Sequence, residues 1–147
     1  MNNTNEMAVE FKSIAQNESF ARMVVAAFMT GTNPTLEEVS DVKTAVSEAV
    51  TNSIIHGYNN SDGLIRIKAK VENRTLYIEV EDYGCGIENI KKAMEPLYTT
   101  RPEEERSGMG FSFMEAFMEK VVVESEPKKG TKVKMWKEIG VKGHQFE

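Results

Sequence analysis

The sequence predicts an α+β fold of two layers, in which a mostly antiparallel sheet carries its helices on one face. Two pairs of segments with alternating apolar residues are each joined by a short turn, the pattern of antiparallel hairpins. Other segments space their apolar residues at helical intervals. The two kinds of element bury their apolar sides against each other as layers. With 147 residues, the chain has the length of one domain around one core.

The first part of the chain is predicted to hold one strand and two helices. Apolar residues alternate over 7–11, which indicates a strand. A helix is predicted over 18–29, with Asn17 as its N-cap. A capping box at 35–38 begins a second helix that continues to Gly57.

Helical spacing also predicts which side of each helix is buried. The core side of the first helix is predicted to consist of Phe20, Met23, Val24, Ala27 and Phe28. The opposite, exposed side is predicted to consist of Glu18, Arg22, Val25 and Met29. The core stripe of the second helix is predicted to consist of Leu36, Val39, Val42, Val46, Val50 and Ile54.

The second part of the chain is predicted to hold two hairpins with a long loop between them. Roughly 20 residues before position 109 show little regular pattern, and loops of this length in compact domains are often lids over a site. The predicted elements are strands over 64–72 and 75–82, a short helix over 88–95, a helix over 109–120, and strands over 121–125 and 131–139.

Composition excludes several classes of protein. The net charge of −5 argues against nucleic acid or an anionic membrane as the main partner. The apolar run at 24–29 is far shorter than the ~20 residues of a membrane span, and the first residues lack the pattern of a signal peptide. We therefore expect a cytoplasmic protein. Cys85, His56 and His144 are too few and too far apart for a zinc site, so an expected metal is oxygen-ligated, such as Mg²⁺.

Two polar residues of the second helix point in the same direction. At about 100° per residue, Glu48 and Asn52 lie one turn apart and opposite the apolar stripe. Such a pair is either an ordinary solvated side of a helix or part of a site.

Asp82 lies on the core-facing row of its strand, where an unpaired carboxylate is costly. Gly84 and Gly86 follow it and allow a tight turn and close approach by a ligand. The alternative is an aspartate that leaves the sheet edge into an ordinary glycine turn. Cys85, between the glycines, has no base nearby in the sequence, so we interpret it as having no catalytic role.

The segment SGMGF at 107–111 begins the helix that follows the long loop. Free N–H groups at a helix N-terminus bind phosphate, and glycines leave them uncovered. The alternative is a flexible junction.

The chain contains, in this order, an ExxxN pair, DxGxG, a long loop and GxGF. This arrangement resembles that of the nucleotide-binding (Bergerat) fold shared by gyrase, Hsp90, histidine kinases and MutL. Within that superfamily the chain resembles the anti-sigma factor serine kinases, above all those of sporulating bacteria. The segments that carry this resemblance are QNESFAR (16–22), SEAVTNSIIHGY (47–58) and PLYTTRPEEERSGMGF (96–111). We therefore expect one ATP-binding domain over 1–139 and a flexible tail over 140–147.

The resemblance implies a homodimer that binds ATP and Mg²⁺, inhibits a sporulation sigma factor and phosphorylates a serine of an anti-anti-sigma factor. It implies no direct contact with nucleic acid or membrane. Two alternatives stay open: a kinase that regulates a general-stress sigma factor, and an ATP-gated binding module without kinase activity.

The resemblance also implies roles for individual residues. Asn52 is the expected Mg²⁺ ligand, Glu48 the base that accepts the serine proton, and Asp82 the acceptor of the adenine amino hydrogen. For His56, its position in the last turn of the helix, and not the resemblance, predicts a role as the C-terminal cap. Further nucleotide contacts are expected from Gly84, Gly86, Thr99, Thr100, Arg101, Arg106, Ser107, Gly108, Met109 and Gly110. Partner contacts are expected from Glu18, Arg22, Val25 and Met29.

Overall fold

A computed structural model describes residues 4–94 and 110–140 of the chain. Most of the predicted long loop and the tail after Gly140 lie outside these residues. The strands are β1 (Thr4–Lys12), β2 (Leu64–Glu72), β3 (Thr75–Asp82), β4 (Lys120–Glu126) and β5 (Gly130–Glu138). The helices are α1 (Gln16–Met29), α2 (Leu36–Asn52), α3 (Ile90–Ala93) and α4 (Gly110–Phe117).

The five strands form one antiparallel sheet in the order β1-β2-β3-β5-β4. The predicted hairpins β2–β3 and β4–β5 are both present. Asn73 makes the first of these turns with a left-handed φ of 58°, a conformation that asparagine tolerates well. The predicted mostly antiparallel sheet is confirmed.

The core lies between one face of the sheet and the helices. In β2, buried residues on that face alternate with more exposed ones, as two-residue periodicity requires; β3 shows the same alternation except at Glu79, which is buried although it lies on the other face. Helices α1, α2 and α4 supply the other side of the core. The largest fully buried side chains are Met29, Ile65, Ile67, Leu76, Ile78, Met114, Met135 and Ile139. The predicted two-layer α+β architecture is confirmed.

The other face of the sheet carries charges that alternate in sign from strand to strand. In the middle of the strands this face is acidic on β1, β3 and β4 and basic on β2 and β5. The register places Lys68 and Lys134 on either side of Glu79, and Lys134 also contacts Glu124 at 2.9 Å. Opposite charges side by side on neighbouring strands stabilise the sheet.

The predicted buried side of α1 is wrong. The buried residues are Ala21, Val25 and Met29, each 0% exposed, whereas Phe20 and Met23 are 44% and 62% exposed. The prediction placed the largest apolar residues inward. In the structure, the stripe with four-residue spacing that includes the small Ala21 packs inward, and Phe20 lies at the rim with its ring edge-on to Phe11.

The N-terminus of α1 also differs from the prediction. The N-cap position is Ala15, which makes no side-chain capping bond. Asn17 lies inside the first turn, where its side-chain amide donates a hydrogen bond to the Lys12 carbonyl at 2.9 Å. Asn17 therefore ties the helix back to the end of β1 instead of capping it.

Helix α2 begins with the predicted capping box. Glu38 N–H donates to the Thr35 hydroxyl at 3.0 Å, and Thr35 N–H donates to the Glu38 carboxylate at 2.9 Å. The same carboxylate accepts the Gly140 N–H at 2.9 Å, so the end of β5 is held at the start of α2. Leu36 is 90% exposed and does not belong to the core stripe, because it stands in the first turn beyond the edge of the core.

Helix α4 is shorter than predicted. It begins at Gly110 and ends at Phe117, because Glu119 N–H already bonds to the Trp136 carbonyl and the chain enters β4 at Lys120. Among the helices of the described ranges, none has the length and apolar character that a membrane crossing needs.

Candidate functional site

Three chain segments meet where β3 ends. Helix α2 continues into a wider π-type turn over Ser53–Gly57, and this turn faces the end of β3 at Asp82. Strand β5 begins beside Asp82, with Thr131 as its register partner. The glycine-containing turn after Asp82 packs between the end of α2 and the β4–β5 hairpin. The elements that carry two of the sequence motifs are therefore in contact here.

Asp82 is the central acidic group of this region and is 3% exposed. One carboxylate oxygen accepts the Ser53 hydroxyl proton at 2.7 Å, and the other accepts the Gly84 N–H at 3.0 Å. Burial raises the pKa of Asp82 above its ordinary value, while hydrogen bonds from Ser53, Gly84 and the Thr131 backbone oppose that rise. Of about four acceptor positions on a carboxylate, three are thus used within the chain. Within residues 4–94 and 110–140, these bonds leave one acceptor position open.

Gly57 and Gly84 allow this close arrangement. A methyl group on Gly57 would lie 3.0 Å from both oxygens of Asp82, and one on Gly84 would lie 2.1 Å from the Gly57 carbonyl oxygen. The Gly57 carbonyl instead accepts the Cys85 N–H at 2.8 Å. Helix end and turn are therefore joined backbone to backbone.

Gly86 and Gly130 are required by backbone conformation as well as by space. Their φ angles are 77° and 116°, and added methyl groups would lie 2.2 Å from the Glu126 carbonyl oxygen and 2.1 Å from that of Asp82. The β4–β5 hairpin thus clamps the glycine turn. In this structure the glycines of DxGxG are explained by packing within the protein, and their predicted contact with nucleotide stays a prediction.

Glu48 and Asn52 lie one turn apart near the end of α2, and both are partly exposed. Asn52 directly precedes Ser53, whose hydroxyl bonds to Asp82. The ExxxN pair therefore borders the Asp82 region. Within residues 4–94 and 110–140, no cluster of three or more His, Cys, Asp or Glu residues can hold a metal ion. A Mg²⁺ ion at Asn52 would therefore depend on water and phosphate oxygens for its other ligands, which is its usual mode of binding beside nucleotides.

Several predicted contacts cannot be placed. Among the described residues α4 begins at Gly110, the second glycine of the GxGF motif. His56 lies in the last turn of the π-type segment, and its role as a cap stays a prediction. The predicted nucleotide contacts that lie outside the described residues are Thr99, Thr100, Arg101, Arg106, Ser107, Gly108 and Met109.

Four residues of this region were missed by sequence reasoning. Ser53 and Gly57 belong to the motif segment of α2, and a serine on the core side of a helix is a signal that was available. Thr131 and Ser125 face each other across the predicted β4–β5 hairpin, but their place beside Asp82 is visible only when β5 is known to pair with β3, which the local sequence does not show.

The predicted partner surface on α1 is only partly exposed. Glu18 and Arg22 form an ion pair at 2.6 Å and remain partly accessible. Val25 and Met29 are fully buried, so the prediction that they belong to an exposed stripe is wrong. Arg22 instead faces a groove of about 390 Å³ between α1 and α2, which is lined by Arg22, Leu36, Val39, Ser40, Lys43, Thr44 and Ser47.

Comparison with known families agrees with this architecture. The family model of the histidine kinase-like ATPase domain matches residues 12–137. The chain therefore belongs to the histidine kinase-like ATPase family.

Relatives narrow the assignment within the family. The anti-sigma F factor of Clostridium kluyveri is 61% identical over 133 residues, which cover 90% of this chain and 94% of the relative. That of Clostridium acetobutylicum is 59% identical, with 93% and 96% covered, and that of Thermoanaerobacter sp. (strain X514) is 60% identical, with 95% and 98% covered. The chain is thus similar to the anti-sigma F factors over nearly its whole length.

Solved structures agree in fold. The RsbU and RsbW domains of Rv1364c from Mycobacterium tuberculosis match with a TM-score of 0.67 at 16% identity, over 92% of this chain and 32% of that one. The blue-light activated histidine kinase EL346 of Erythrobacter litoralis matches with a TM-score of 0.53 at 21% identity, over 72% of this chain and 32% of that one. At these identities the likeness concerns the fold alone.

Proposed function

We propose that the protein is a cytoplasmic, homodimeric anti-sigma factor that inhibits a sporulation sigma factor and, with ATP and Mg²⁺, phosphorylates a serine of its anti-anti-sigma antagonist. The observation that carries the proposal is the ExxxN pair of Glu48 and Asn52 beside the buried Asp82, in a chain about 60% identical to proteins named anti-sigma F factor.

Asp82 supports the proposed binding of ATP. One acceptor position of its carboxylate remains after the bonds from Ser53, Gly84 and Thr131. An adenine amino group supplies a hydrogen of the right kind for that position. Because the carboxylate is held from three sides, it need not reorganise when the base binds.

Asn52 supports the proposed binding of Mg²⁺. Its amide oxygen is a hard donor of the kind that Mg²⁺ accepts beside phosphate oxygens and water. When bound, the ion would neutralise negative charge on the phosphates during transfer. Asn52 follows Glu48 by one helical turn, so the proposed metal ligand and the proposed base belong to the same rigid element.

Glu48 supports the proposed transfer to serine. In the proposed reaction, its carboxylate accepts the proton of the serine hydroxyl, the hydroxyl oxygen forms the new bond to the terminal phosphorus, and ADP leaves with the bridging oxygen. A protein that only binds ATP has no need for a carboxylate one turn before the metal ligand. Glu48 therefore separates the kinase from the binding-module alternative.

The partner surface is proposed to include Glu18 and Arg22. These residues form an ion pair on the accessible part of α1, and Arg22 lines the groove beside α2. The net charge of −5 fits a regulator that holds a protein instead of touching DNA.

The Glu48→Gln variant tests the kinase proposal. With γ-labelled ATP and the proteins that co-purify from the native cell, transfer to serine should fall by about 10²-fold or more, as for loss of a general base. The affinity for ATP should stay within about 2-fold, because glutamine keeps the size and polarity of the side chain. Glu37→Gln, an exposed change on the same helix, is the matched control.

Retained transfer by Glu48→Gln would refute the role of Glu48 as the base. If the wild-type protein binds ATP but labels no co-purified protein, the kinase proposal fails and the binding-module alternative takes its place.

A further inference from the structure

Ser125 makes three polar contacts at the edge of the candidate nucleotide site. It lies on β4 with Thr131 as its register partner on β5. Its hydroxyl oxygen accepts the Ile87 N–H at 2.7 Å, and it lies 2.9 Å from the Gly130 carbonyl oxygen and 2.8 Å from the Thr131 hydroxyl oxygen. One side chain thus contacts the glycine turn and the start of β5 together.

The direction of these bonds follows from counting protons. Ser125 has one hydroxyl proton, and both the Gly130 carbonyl and the Thr131 hydroxyl can accept it. The carbonyl can only accept, whereas the Thr131 hydroxyl can also donate. All three contacts are hydrogen bonds only when Ser125 donates to Gly130 and Thr131 donates to Ser125. If Ser125 donated its proton to Thr131 instead, the oxygens of Ser125 and Gly130 would lie 2.9 Å apart without a proton between them.

This direction determines what Thr131 offers to a ligand. Because its proton points to Ser125, the Thr131 hydroxyl has only lone pairs left. Thr131 is also the register partner of Asp82, and both side chains belong to the inner row of the sheet. Asp82 keeps one acceptor position of its own. Two acceptors therefore stand next to each other where β3 ends and β5 begins.

We propose that Ser125 is a positioning residue that holds the Thr131 hydroxyl as an acceptor, so that the site selects a base with an exocyclic amino group over one with a keto group. This inference rests on the proposed nucleotide site. An amino group has two hydrogens and satisfies both acceptors. A keto oxygen brings further lone pairs to the same place, and a site built to bond N–H groups rejects it.

Without Ser125 the preference should weaken. In Ser125→Ala the Thr131 hydroxyl loses its acceptor and becomes free to rotate and donate its proton to a ligand. Its proton can then meet a keto oxygen. The loss of discrimination should be about 10-fold, the usual size for one hydrogen bond to a ligand.

The test compares the dissociation constants of ADP and inosine diphosphate by calorimetry on the full chain. Their bases differ at position 6, which carries an amino group or a keto oxygen, and at N1, which carries a hydrogen only in the inosine base. Wild type should prefer ADP, and Ser125→Ala should lower that preference about 10-fold, mainly through tighter binding of inosine diphosphate, whose keto oxygen can then accept the Thr131 proton. Ser125→Thr should keep the wild-type preference because it keeps a hydroxyl group at this position. Thr131→Val, which removes the second acceptor, should also lower it. Ser40→Ala, an exposed serine on α2, is the control and should change neither constant.

Equal loss of affinity for both nucleotides in Ser125→Ala would overturn the inference, since Ser125 would then only stabilise the glycine turn. An unchanged ratio with unchanged affinities would overturn it as well. The measurement needs no phosphoryl transfer, so a protein that discriminates as expected but transfers no phosphate would refute the kinase proposal and leave this inference standing. Binding of neither nucleotide by wild type would refute both.

Discussion

The Gly84→Ala variant would place a methyl group against a backbone carbonyl. That methyl carbon would lie 2.1 Å from the Gly57 oxygen, whereas ordinary contact begins at 3.4 Å. The end of α2 and the turn after β3 must therefore separate by about 1.3 Å, a shift that neither can avoid by rotating a side chain. The hydrogen bond from Cys85 N–H to the Gly57 carbonyl would be lost.

Overpacking of this kind costs about 1–3 kcal/mol, and loss of the hydrogen bond adds about 0.5–1.5 kcal/mol. We expect Gly84→Ala to lower the free energy of unfolding by about 2–4 kcal/mol in urea titrations. Gly31→Ala is the matched control, because its methyl group would meet no atom within 4 Å in the described part of the chain. The packing argument is wrong if both variants unfold at the same urea concentration.

Three further predictions concern Asp82 and Arg22. As the pH falls through the raised pKa of Asp82, ADP affinity should drop, because the protonated carboxyl is a poorer acceptor; Asp82→Asn should remove this dependence in calorimetry. The stability of the unliganded protein should change with the opposite sign. Because the pKa of Asp82 is higher in the folded than in the unfolded state, stability should fall as the pH rises from the unfolded-state pKa to the folded-state pKa. Thermal unfolding across that pH range checks this prediction. Arg22→Glu should weaken retention of the sigma factor in a pull-down while ADP affinity stays unchanged, since Arg22 lines the α1–α2 groove and not the Asp82 region. Loss of both activities together would indicate misfolding.

The sheet was predictable because its patterning is strict. In β2 and β3, apolar residues occupy every second position and the opposite face is polar, so the face, the bounds and the hairpin all follow from period two. The same rule placed Asp82 in the inner row, and the structure confirms its burial there. A charge that breaks a regular apolar pattern was thus the clearest local sign of the site.

The orientation of α1 could not be read in the same way. Apolar residues occur on more than one side of this helix, so period alone permits several buried faces. The prediction placed Phe20 and Met23 in the core because their side chains are large. The structure buries Ala21 instead, and this choice depends on packing against α2, which the local sequence does not encode.

The position of Ser125 and Thr131 beside Asp82 could not be predicted for a related reason. Neither residue breaks the pattern of its strand, since a serine or threonine in a sheet is common. Their meaning depends on β5 lying between β3 and β4, a non-sequential neighbourhood. Local motifs therefore locate the acidic group of the site, and sheet topology supplies the hydroxyls around it.

The glycines of DxGxG need not be explained by a ligand. Gly84 lies close to the Gly57 carbonyl, and Gly86 lies close to the Glu126 carbonyl. The end of α2, the glycine turn and the β4–β5 hairpin must therefore pack closely around the Asp82 carboxylate. If the role of the glycines is to allow this packing, substituting them should lower the free energy of unfolding. Nucleotide affinity should then fall only because the protein is less stable. Selection of the base would rest instead on the single open acceptor of Asp82 and on the Thr131 hydroxyl. Gly84→Ala and Ser125→Ala should accordingly separate the two effects: the first lowers stability, and the second changes the preference for the base.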